Sequence, residues 1–273
     1  MGVLEQAAGI AREAGAFIRA LEDKSGLAVS EKIAGCDYVT EADTGSQQLI
    51  KDRVARLYPS DSVFGEEDGL SDPAVMDAVR SAKGRAWLVD PLDGTANFIH
   101  ALGGYAVSIA VFEGGDVACA AVYLPVTDEL FCAQKGKGAF RNGRAIRVSE
   151  NPSLALAVDA THVPVSDMGL RRRSNAWYEK AVMSCQNMRV IGSSVHTQMR
   201  VAAGGLDFYY EYGPHPWDVA AGSLIVSEAG GIESRLDGGP FDFGKGGVLA
   251  SSRAVRDSVL RMLEEADGDL SRL

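Results

Sequence analysis

A short apolar run that ends in two closely spaced acidic residues constrains this chain more than any other segment. Residues 85–89, Arg-Ala-Trp-Leu-Val, predict a buried strand, and Asp90 and Asp93 follow it directly. Two carboxylates so close together raise each other's pKa unless a cation lies between them. The next residues, Gly94 and Thr95, can offer backbone N–H groups and a hydroxyl to an anion. The segment therefore predicts a site for a hard metal ion beside a bound anion.

Length and glycine content limit the architecture. The 273 residues suit one large domain or two closely packed halves. The 31 glycines fit a loop-rich chain of helices and strands better than a helical bundle. Only one soft boundary is apparent, near residues 148–153. We therefore expect residues 1–150 and 151–273 to form an α+β half and an α/β half of one compact unit.

The charge of the chain excludes some classes of partner. The formal net charge of −10, from 27 basic and 37 acidic residues, argues against a protein that binds nucleic acid or an anionic membrane. An anionic substrate is still compatible, because carboxylates loaded with Mg²⁺ present local positive charge. No signal-peptide pattern is apparent, and no apolar run approaches the roughly 18 residues of a membrane span. We therefore expect a soluble, cytoplasmic protein.

The cysteines support the same compartment. There are four of them, at spacings that suit neither a zinc site nor a disulfide framework: Cys36, Cys119, Cys132 and Cys185. We expect free thiols in a reducing environment.

Hydrophobic periodicity predicts a mixed succession of helices and strands. The predicted helices cover residues 2–22, 44–57, 73–82, 170–185, 194–203, 216–229 and 253–265. The predicted strands cover residues 62–64, an antiparallel run over 104–148, then 154–160, 188–192, 208–211, 231–236 and 247–251. For the helix over 44–57, Thr44 and Gln47 have the spacing of a capping box.

Acidic residues stand at the ends of four of these elements. They are Asp43, Glu66 with Glu67, Asp90 with Asp93, and Asp218. Taken singly, Asp43 is an ordinary helix cap, and Asp218 is an acid that meets the positive end of a helix dipole. Only the pair Asp90 and Asp93 resists such a structural explanation, because an apolar strand leads straight into both.

Taken together, these clusters make the sequence resemble the inositol monophosphatase family of metal-dependent phosphomonoesterases. The segments that carry the resemblance are DYVTEAD at 37–43, GEE at 65–67, WLVDPLDGTANF at 87–98, WDVAAG at 217–222 and EAGG at 228–231. The resemblance implies an α+β fold, a layered αβαβα sandwich of the type shared with fructose-1,6-bisphosphatase, and usually a homodimer.

The resemblance also implies a set of metal ligands. Glu66, Asp90 and the backbone carbonyl of Leu92 would bind one Mg²⁺. Asp90, Asp93 and Asp218 would bind a second ion, with Asp90 bridging the two. Glu66 would help to hold a third ion through water. The implied cofactor is therefore two to three Mg²⁺ ions per subunit, with most ligands in the first half of the chain.

The catalytic groups implied by the resemblance lie in the same segments. Gly94 and Thr95 would donate backbone N–H groups to the phosphate. Thr95 and Asp43 would position and deprotonate the attacking water, and Glu66 acts with them as a metal ligand.

Two more residues match positions close to this site. Lys32 matches a family position near the metal-site loop. Glu67 is expected beside the ligands rather than among them.

Recognition of the substrate is implied mainly for the second half of the chain. Asp93 and Asp218 would face the substrate as well as the metal. Glu211 matches the acid that reads ring hydroxyls in inositol-cleaving members. Specificity would then depend on how the alcohol part of the ester meets these carboxylates.

The remaining pocket residues carry hydroxyls. Ser194 lies in the turn 192–194 that lines the pocket, where a smaller alanine is familiar in the family. Its hydroxyl could accept a more polar substrate or only a water. Thr161 would form the far wall of the pocket together with His162.

The densest basic run is Arg171-Arg172-Arg173. Two interpretations remain open: a solvated helix end, or a clamp for a second phosphate, as a sugar bisphosphate would need. His215 and His100 lie near acidic segments, but we expect packed loop residues there, because Mg²⁺ prefers oxygen ligands.

The chemistry of a phosphate monoester agrees with this set of residues. The ester is anionic, and hard cations can neutralise its oxygens, activate a water and stabilise the leaving alkoxide. Positioning and electrostatics then do most of the work of phosphoryl transfer. We therefore expect a Mg²⁺-dependent phosphatase that acts on a small polyol or sugar phosphate, with inositol monophosphate as the first candidate.

Two alternatives remain open. One is a related phosphatase that acts on fructose 1,6-bisphosphate, histidinol phosphate, a nucleotide 3′-phosphate or a pathway-specific sugar phosphate. The other is a regulatory protein that retains the metal site without useful catalysis. The paired Asp43 and Thr95 favour an enzyme, because a binding protein does not need a water-activating pair.

Overall fold

The computed structural model describes residues 2–22, 29–33, 37–162, 168–243 and 246–270. The helices of this part of the chain are α1 (Val3–Glu22), α2 (Glu41–Leu57), α3 (Asp72–Ser81), α4 (Thr95–Ile99), α5 (Met168–Ser184), α6 (Ser194–Ala202), α7 (Pro216–Glu228) and α8 (Arg256–Leu270). Two single 3-10 turns cover Glu66–Asp68 and Leu154–Leu156.

Most of the strands lie in the first half of the chain. In chain order they are β1 (Val29–Ile33), β2 (Asp37–Thr40), β3 (Ser62–Gly65), β4 (Ala86–Asp93), β5 (Ala106–Glu113), β6 (Asp116–Leu124), β7 (Glu129–Gln134), β8 (Ala139–Arg141) and β9 (Arg144–Ala145). The second half holds β10 (Val158–Thr161), β11 (Asn187–Arg189), β12 (Phe208–Glu211), β13 (Ile232–Ser234) and β14 (Val248–Ser251).

Two large sheets form the frame. The seven-stranded sheet has the order β3-β4-β5-β6-β7-β8-β9, and all its pairs are antiparallel except β3 with β4. The five-stranded sheet has the order β11-β10-β12-β14-β13, with β10 parallel to both of its neighbours. A separate hairpin, β1 with β2, completes the strands of the described residues.

Three apolar cores hold five layers together, because the central core packs both sheets against the middle helices. Helices α1 and α2 cover one face of the seven-stranded sheet, where Ile10, Ile50 and Trp87 are buried together. Helices α6 and α7 lie between the two sheets, in a core that includes Met199 and Ile225. Helices α5 and α8 cover the outer face of the five-stranded sheet. The expected layered αβαβα sandwich is therefore confirmed.

The amphipathic pattern of the sequence explains why α1 lies where it does. Its buried residues recur at three- and four-residue steps: Ala7, Ile10, Ala11, Ala14, Gly15, Ile18 and Leu21. Such a stripe places one helix face on the sheet. Gly15 permits close approach, because a Cβ there would lie 2.4 Å from the Tyr123 ring.

The antiparallel strands predicted over 104–148 are confirmed as β5 to β9.

The predicted start and the predicted cap of α2 are both wrong. Helix α2 begins at Glu41 rather than at Thr44, and its capping box pairs Thr40 with Asp43. The box predicted from Thr44 and Gln47 is wrong because Thr40 offers the same chemistry one turn earlier.

The buried strand predicted over 154–160 is only half correct. Its first part is the 3-10 turn at Leu154–Leu156, and β10 begins at Val158. The start of the segment is too close to the preceding turn, where Asn151 and Ser153 bond each other, to join the sheet.

Three of the four cysteines, Cys119, Cys132 and Cys185, are free thiols in the structure. Cys36 lies outside the described residues, as does Gly35 beside it. None of the described helices combines the length and the apolar character that crossing a lipid bilayer requires.

Candidate active site

At the end of β4, the carboxylates of Asp90 and Asp93 belong to one cluster. Along β4, Asp90 pairs with Ser108 and Asp93 pairs with Ala106. An advance of three residues along β4 therefore lies opposite an advance of two residues along β5. This irregularity acts like a β-bulge, which adds a residue and redirects side chains. In a regular strand the side chains of Asp90 and Asp93 would point to opposite faces. The bulge allows both to contribute to a single cluster.

Asp218 reaches the same cluster from the first turn of α7. Pro216 begins this helix, and the carboxylate of Asp218 accepts a hydrogen bond from the backbone N–H of His215 at 2.7 Å. One carboxylate oxygen from each of Asp90, Asp93 and Asp218 lies within 4.8 Å of the others. Asp218 is far from Asp90 and Asp93 in sequence and meets them because α7 packs against β4 and β5.

Each of the three carboxylates has one oxygen held by a backbone donor. Asp90 Oδ1 accepts from Leu92 N at 3.0 Å. Asp93 Oδ2 accepts from Val195 N at 2.8 Å and also from the Ser193 hydroxyl. Asp218 Oδ2 accepts from His215 N. Among the described residues, no donor reaches the second oxygen of any of the three, which leaves these oxygens for a cation.

The electrostatics of the cluster favour a bound cation. Burial raises the pKa of Asp90 well above its ordinary value, and the charges of Glu66 and Asp93 raise it further. Burial and then the charge of Asp93 raise the pKa of Asp218 in the same direction. Burial raises the pKa of Asp93 to about 6, although Ser193 and Val195 oppose the shift by hydrogen bonding. Carboxylate oxygens gathered in this way, with Asp90 buried and Asp93 and Asp218 half-buried, fit a hard divalent cation.

Glu66 lies beside this cluster but bonds a lysine. Lys32, on β1, places its Nζ 2.6 Å from an oxygen of Glu66 and 2.6 Å from an oxygen of Glu67. The charge of Glu66 contributes to the raised pKa of both Asp90 and Asp218, so its carboxylate is nearby. The structure thus brings Lys32, Glu66 and Glu67 together at the edge of the acidic cluster.

The pKa values of Lys32 and Glu67 are both raised, but for different physical reasons. Burial raises the pKa of Glu67 to about 7, and the hydrogen bond from Lys32 acts in the opposite direction. Burial alone would lower the pKa of Lys32, but the charges and hydrogen bonds of the two glutamates outweigh it and raise that pKa. The ammonium group is therefore a permanent positive charge at this edge.

Asp43 and Thr95 form a second feature of the site. Asp43 Oδ2 accepts from Thr40 N at 2.8 Å and from Thr40 Oγ1 at 2.6 Å, as the helix cap requires. Its other oxygen accepts from Thr95 Oγ1 at 2.8 Å. Burial raises the pKa of Asp43, although the bonds from Thr40 and Thr95 oppose the shift. The capping role and the role toward Thr95 use different oxygens of one carboxylate.

The hydroxyl of Thr95 has more acceptors than protons. Oγ1 lies 2.8 Å from Asp43 and 3.1 Å from the backbone carbonyl of Leu92. A hydroxyl carries one proton and two lone pairs, so the proton bonds one of these oxygens. The lone pairs of Thr95 then remain able to accept a hydrogen bond from a water molecule.

Gly94 lets the backbone approach the turn before α6. Its φ is +90°, and a Cβ there would lie 3.1 Å from Ser193 Cβ and 3.2 Å from the carbonyl of Gly104. A side chain is therefore disfavoured both by conformation and by space. Asn97 ties the same region together, because its amide donates to Gly104 O at 3.0 Å and to Ile191 O at 2.8 Å.

Ser194 and Glu211, both predicted to contact substrate, contact each other. The Ser194 hydroxyl donates to Glu211 Oε2 at 2.6 Å, and the hydroxyl of Tyr209 donates to the same oxygen. Glu211 ends β12, and Ser194 begins α6. The structure thus brings these two residues together near Asp93, since the charge of Glu211 contributes to the raised pKa of Asp93.

Thr161 uses its hydroxyl in the sheet. Thr161 Oγ1 donates to the backbone carbonyl of Tyr210 at 2.8 Å, and the residue is buried at the end of β10. His162 follows it, half-buried. Neither is hydrogen-bonded to the acidic cluster within the described ranges.

The basic run on α5 divides into two parts. Arg173 bonds Asp267 of α8, with 2.8 Å from its Nε to Oδ1, and lies over the rings of Trp177 and Tyr212. Arg171 and Arg172 are exposed. Arg173 therefore joins α5 to α8.

The side chains of His215 and His100 make no hydrogen bond to the three aspartates within the described residues, although the charge of His215 lowers the pKa of Asp218. His215 precedes α7, stacks on Trp217 and lies 2.8 Å from Asp72 through Nδ1. The hydrogen bond to Asp72 raises its pKa to about 9. His100 is exposed at the end of α4.

Sequence reasoning missed several residues that hold the site. Thr40, Asn97, Ser193, Val195 and Tyr209 fix the acidic groups or their backbone. Thr40 could have been found from its three-residue spacing to Asp43, and Asn97 belongs to the quoted 87–98 segment. Ser193 and Val195 act over about 100 positions and leave no local signal, whereas Tyr209 lies two positions before Glu211, a spacing that places both on one face of β12.

Known proteins with similar sequences cover nearly all of this chain. The fructose-1,6-bisphosphatase/inositol-1-monophosphatase of Thermotoga maritima is 34% identical over 238 residues, which are 87% of this chain and 86% of that protein. The Nus factor SuhB of Pseudomonas aeruginosa is 36% identical over 257 residues, 93% of each chain. The similarity therefore extends well beyond the acidic segments.

A solved structure agrees with the fold. The extragenic suppressor protein suhB of Bartonella henselae superposes with a TM-score of 0.87 at 31% identity, over 96% of this chain and 98% of that one. The model of the inositol monophosphatase family matches residues 2–267. With the carboxylate cluster and the fold both in agreement, the chain belongs to the inositol monophosphatase family.

Proposed function

We propose that this protein is a Mg²⁺-dependent phosphatase that hydrolyses a small polyol or sugar phosphate monoester, with inositol monophosphate as the first candidate. One observation carries the proposal: one carboxylate oxygen from each of Asp90, Asp93 and Asp218 lies within 4.8 Å of the other two. Thr95 lies just past the end of β4, and its hydroxyl donates to Asp43 of α2 at 2.8 Å, which supports hydrolysis rather than metal binding alone.

The metal ions would be held mainly by the free oxygens of the three aspartates. Glu66 and the carbonyl of Leu92 complete the proposed set of two to three Mg²⁺ ions. When bound, Mg²⁺ supplies neutralisation of the phosphate oxygens and lowers the pKa of a water molecule. The backbone bonds to Asp90, Asp93 and Asp218 orient each carboxylate through one oxygen, and the other oxygen of each would be available to a metal ion.

The chain's own groups position the phosphate and the water. Gly94 and Thr95 lie at the start of α4, where their N–H groups point toward a bound anion in the proposed complex. The lone pair of Thr95 Oγ1 accepts a hydrogen bond from the attacking water. Asp43, which already accepts the Thr95 proton, is the group that draws the proton away. Its burial favours this exchange, because charge is costly there.

The alcohol part of the ester would meet carboxylates from the second half of the chain. Glu211, at the end of β12, and Asp93 can each accept a hydrogen bond from a hydroxyl of the substrate. A polyol supplies several such donors, and an aromatic or alkyl phosphate does not. This favours a polyol phosphate over a simple ester.

A phosphate-release assay on the purified protein tests the proposal. A panel of phosphate esters is offered with Mg²⁺ and again with excess chelator. We expect release of phosphate from inositol 1-phosphate with Mg²⁺ only, and inhibition by lithium, as the family resemblance implies. Full activity in chelator contradicts the metal mechanism, and failure across the panel with Mg²⁺ binding intact favours a binding protein.

A second candidate substrate is a sugar bisphosphate. The 34% identical relative from Thermotoga maritima carries both fructose-1,6-bisphosphatase and inositol-1-monophosphatase in its name. Arg171 and Arg172 are exposed on α5 and could meet a second phosphate. Alanine at both positions would raise KM for fructose 1,6-bisphosphate but not for inositol 1-phosphate if this candidate is correct.

A regulatory role is the remaining candidate. Relatives named Nus factor SuhB are up to 36% identical over 93% of this chain.

We also propose a homodimer in the cytoplasm, a compartment in which free thiols such as Cys119 persist. Light scattering of the purified protein tests the dimer, and fractionation of cells tests the compartment.

A further inference from the structure

One carboxylate of the pocket has two hydroxyl donors on the same oxygen. Ser194 Oγ donates to Glu211 Oε2 at 2.6 Å, and the Tyr209 hydroxyl donates to Oε2 as well. Within the described part of the chain, no hydrogen bond reaches Oε1. Ser194, Tyr209 and Glu211 are only 5%, 0% and 6% exposed. An oxygen that accepts two hydroxyl protons carries none of its own.

Two donors on one oxygen fix the plane of the carboxylate. The terminal torsion of a glutamate is otherwise broad, so a free carboxylate samples many orientations. Rotation of Glu211 would break bonds to both Ser194 and Tyr209 in a buried place, where unpaired hydroxyls are costly. Oε1 is therefore held in one direction, and it is the oxygen left to accept a further proton donor.

The same turn of α6 also holds Asp93. Ser193 and Val195 bond Asp93 Oδ2, and Ser194, between them, bonds Glu211. The charge of Glu211 raises the pKa of both Asp93 and Asp218, so the glutamate stands beside the acidic cluster. Three consecutive residues thus fix the relative positions of a cluster aspartate and of Glu211.

We propose that Ser194 and Tyr209 are positioning residues that hold Glu211 so that Oε1 accepts one alcohol hydroxyl of the substrate. The Ser194 hydroxyl is then engaged with Glu211 and is not a direct contact of the substrate. This inference rests on the proposed function, which gives Glu211 a hydroxyl of the substrate, and adds the two residues that hold Glu211 in place. A second phosphate there would meet a like charge and be rejected.

Kinetics on two esters separate positioning from general damage. Ser194→Ala and Tyr209→Phe are compared with the parent on inositol 1-phosphate and on p-nitrophenyl phosphate, whose leaving group has no aliphatic hydroxyl. Losing a hydrogen bond that orients a charged acceptor should lower kcat/KM for inositol 1-phosphate about five- to tenfold, mainly through KM. The value for p-nitrophenyl phosphate should change less than about twofold, since positioning of the nucleophile is untouched.

Matched variants control for folding. Ser223→Ala removes a serine hydroxyl whose one hydrogen bond among the described residues goes to the carbonyl of Ala220 within α7. Tyr123→Phe removes a tyrosine hydroxyl that bonds Asp128 on the surface. Both should leave the ratio of the two kcat/KM values unchanged. Ser194→Thr, which retains the hydroxyl, should show the same ratio of kcat/KM values as the parent.

A crystal structure of Ser194→Ala gives a readout that does not depend on activity. We expect the Glu211 carboxylate to rotate or to occupy two orientations. Equal losses on both esters, or an unchanged Glu211 orientation in the variant, would overturn the inference. If the parent hydrolyses neither ester, the proposed function fails, and the orientation of Glu211 in the variant still decides the positioning role.

Discussion

Thr95 and Asp43 are 52 positions apart in the sequence, and their side chains are joined by a hydrogen bond of 2.8 Å at the end of β4. Asp43 at the same time caps α2 through its other oxygen. A single carboxylate therefore links the start of a helix to the hydroxyl proposed to position water. The helix cap and the bond from Thr95 together engage both oxygens of Asp43.

Removing the Thr95 hydroxyl should stop turnover without releasing the metal. Thr95→Ala should lower kcat about 100- to 1000-fold, the usual contribution of a positioned proton-transfer group, because Asp43 then has no link to the water. Mg²⁺ affinity measured by calorimetry should stay within a few-fold of the parent. Thr95→Ser, which keeps the hydroxyl, is the control and should retain most of the activity. Comparable loss in the serine variant contradicts the assigned role.

Neutralising one aspartate of the cluster should remove the metal site. Asp90→Asn, Asp93→Asn and Asp218→Asn should each weaken Mg²⁺ binding at least about tenfold, because a carboxylate ligand is lost from a buried set. Calorimetric titration with Mg²⁺ measures this directly. Asp116→Asn is the matched control, since Asp116 is exposed and paired with Lys135. Unchanged affinity in all three cluster variants would falsify the proposed ligand set.

His196 should make the protein less stable in mild acid. Burial, followed by the charge of Arg200, lowers its pKa from 6.5 to about 4, and Arg200 Nε donates to its Nε2 at 2.9 Å, which requires a neutral ring. As the pH falls below 6.5 the unfolded chain gains a proton first, so stability present above pH 6.5 is lost as the pH falls toward 4. Between pH 7 and pH 5 this histidine should cost about 2 kcal/mol.

Urea unfolding of the parent and of His196→Gln at the two pH values measures this difference. The variant should lose about 2 kcal/mol less than the parent on acidification. His100→Gln is the control, because that residue is exposed and should not alter the difference. An identical pH dependence in parent and His196→Gln contradicts the assignment.

Arg173 should matter for stability rather than for phosphate binding. Arg173→Ala removes the pair with Asp267 and the contact over Trp177, which should cost about 1 kcal/mol because the pair is partly exposed. Thermal unfolding measures this cost. Arg172→Ala, at an exposed neighbouring position, should leave the melting temperature unchanged. A raised KM for a bisphosphate in Arg173→Ala with normal stability would instead favour a phosphate clamp.

The sequence alone determined the features that depend on short spacing. The apolar strand that leads into Asp90 and Asp93 and the helix that starts with Pro216 and carries Asp218 are both local, because a few adjacent residues fix their dihedral angles. The family resemblance rests on these same segments. The resemblance therefore predicted the layered fold and the identity of the acidic residues that the structure brings together.

Only the tertiary structure decided how these acids are held. Ser193 and Val195 lie about 100 positions from Asp93, and Ser194 lies 17 from Glu211. Such pairs depend on how α6 packs between the sheets, and no spacing in the sequence encodes that packing. The hydrogen bonds from Lys32 to Glu66 and Glu67 also depend on tertiary packing. Local spacing thus predicts which groups are present, whereas packing decides which oxygen of each remains free.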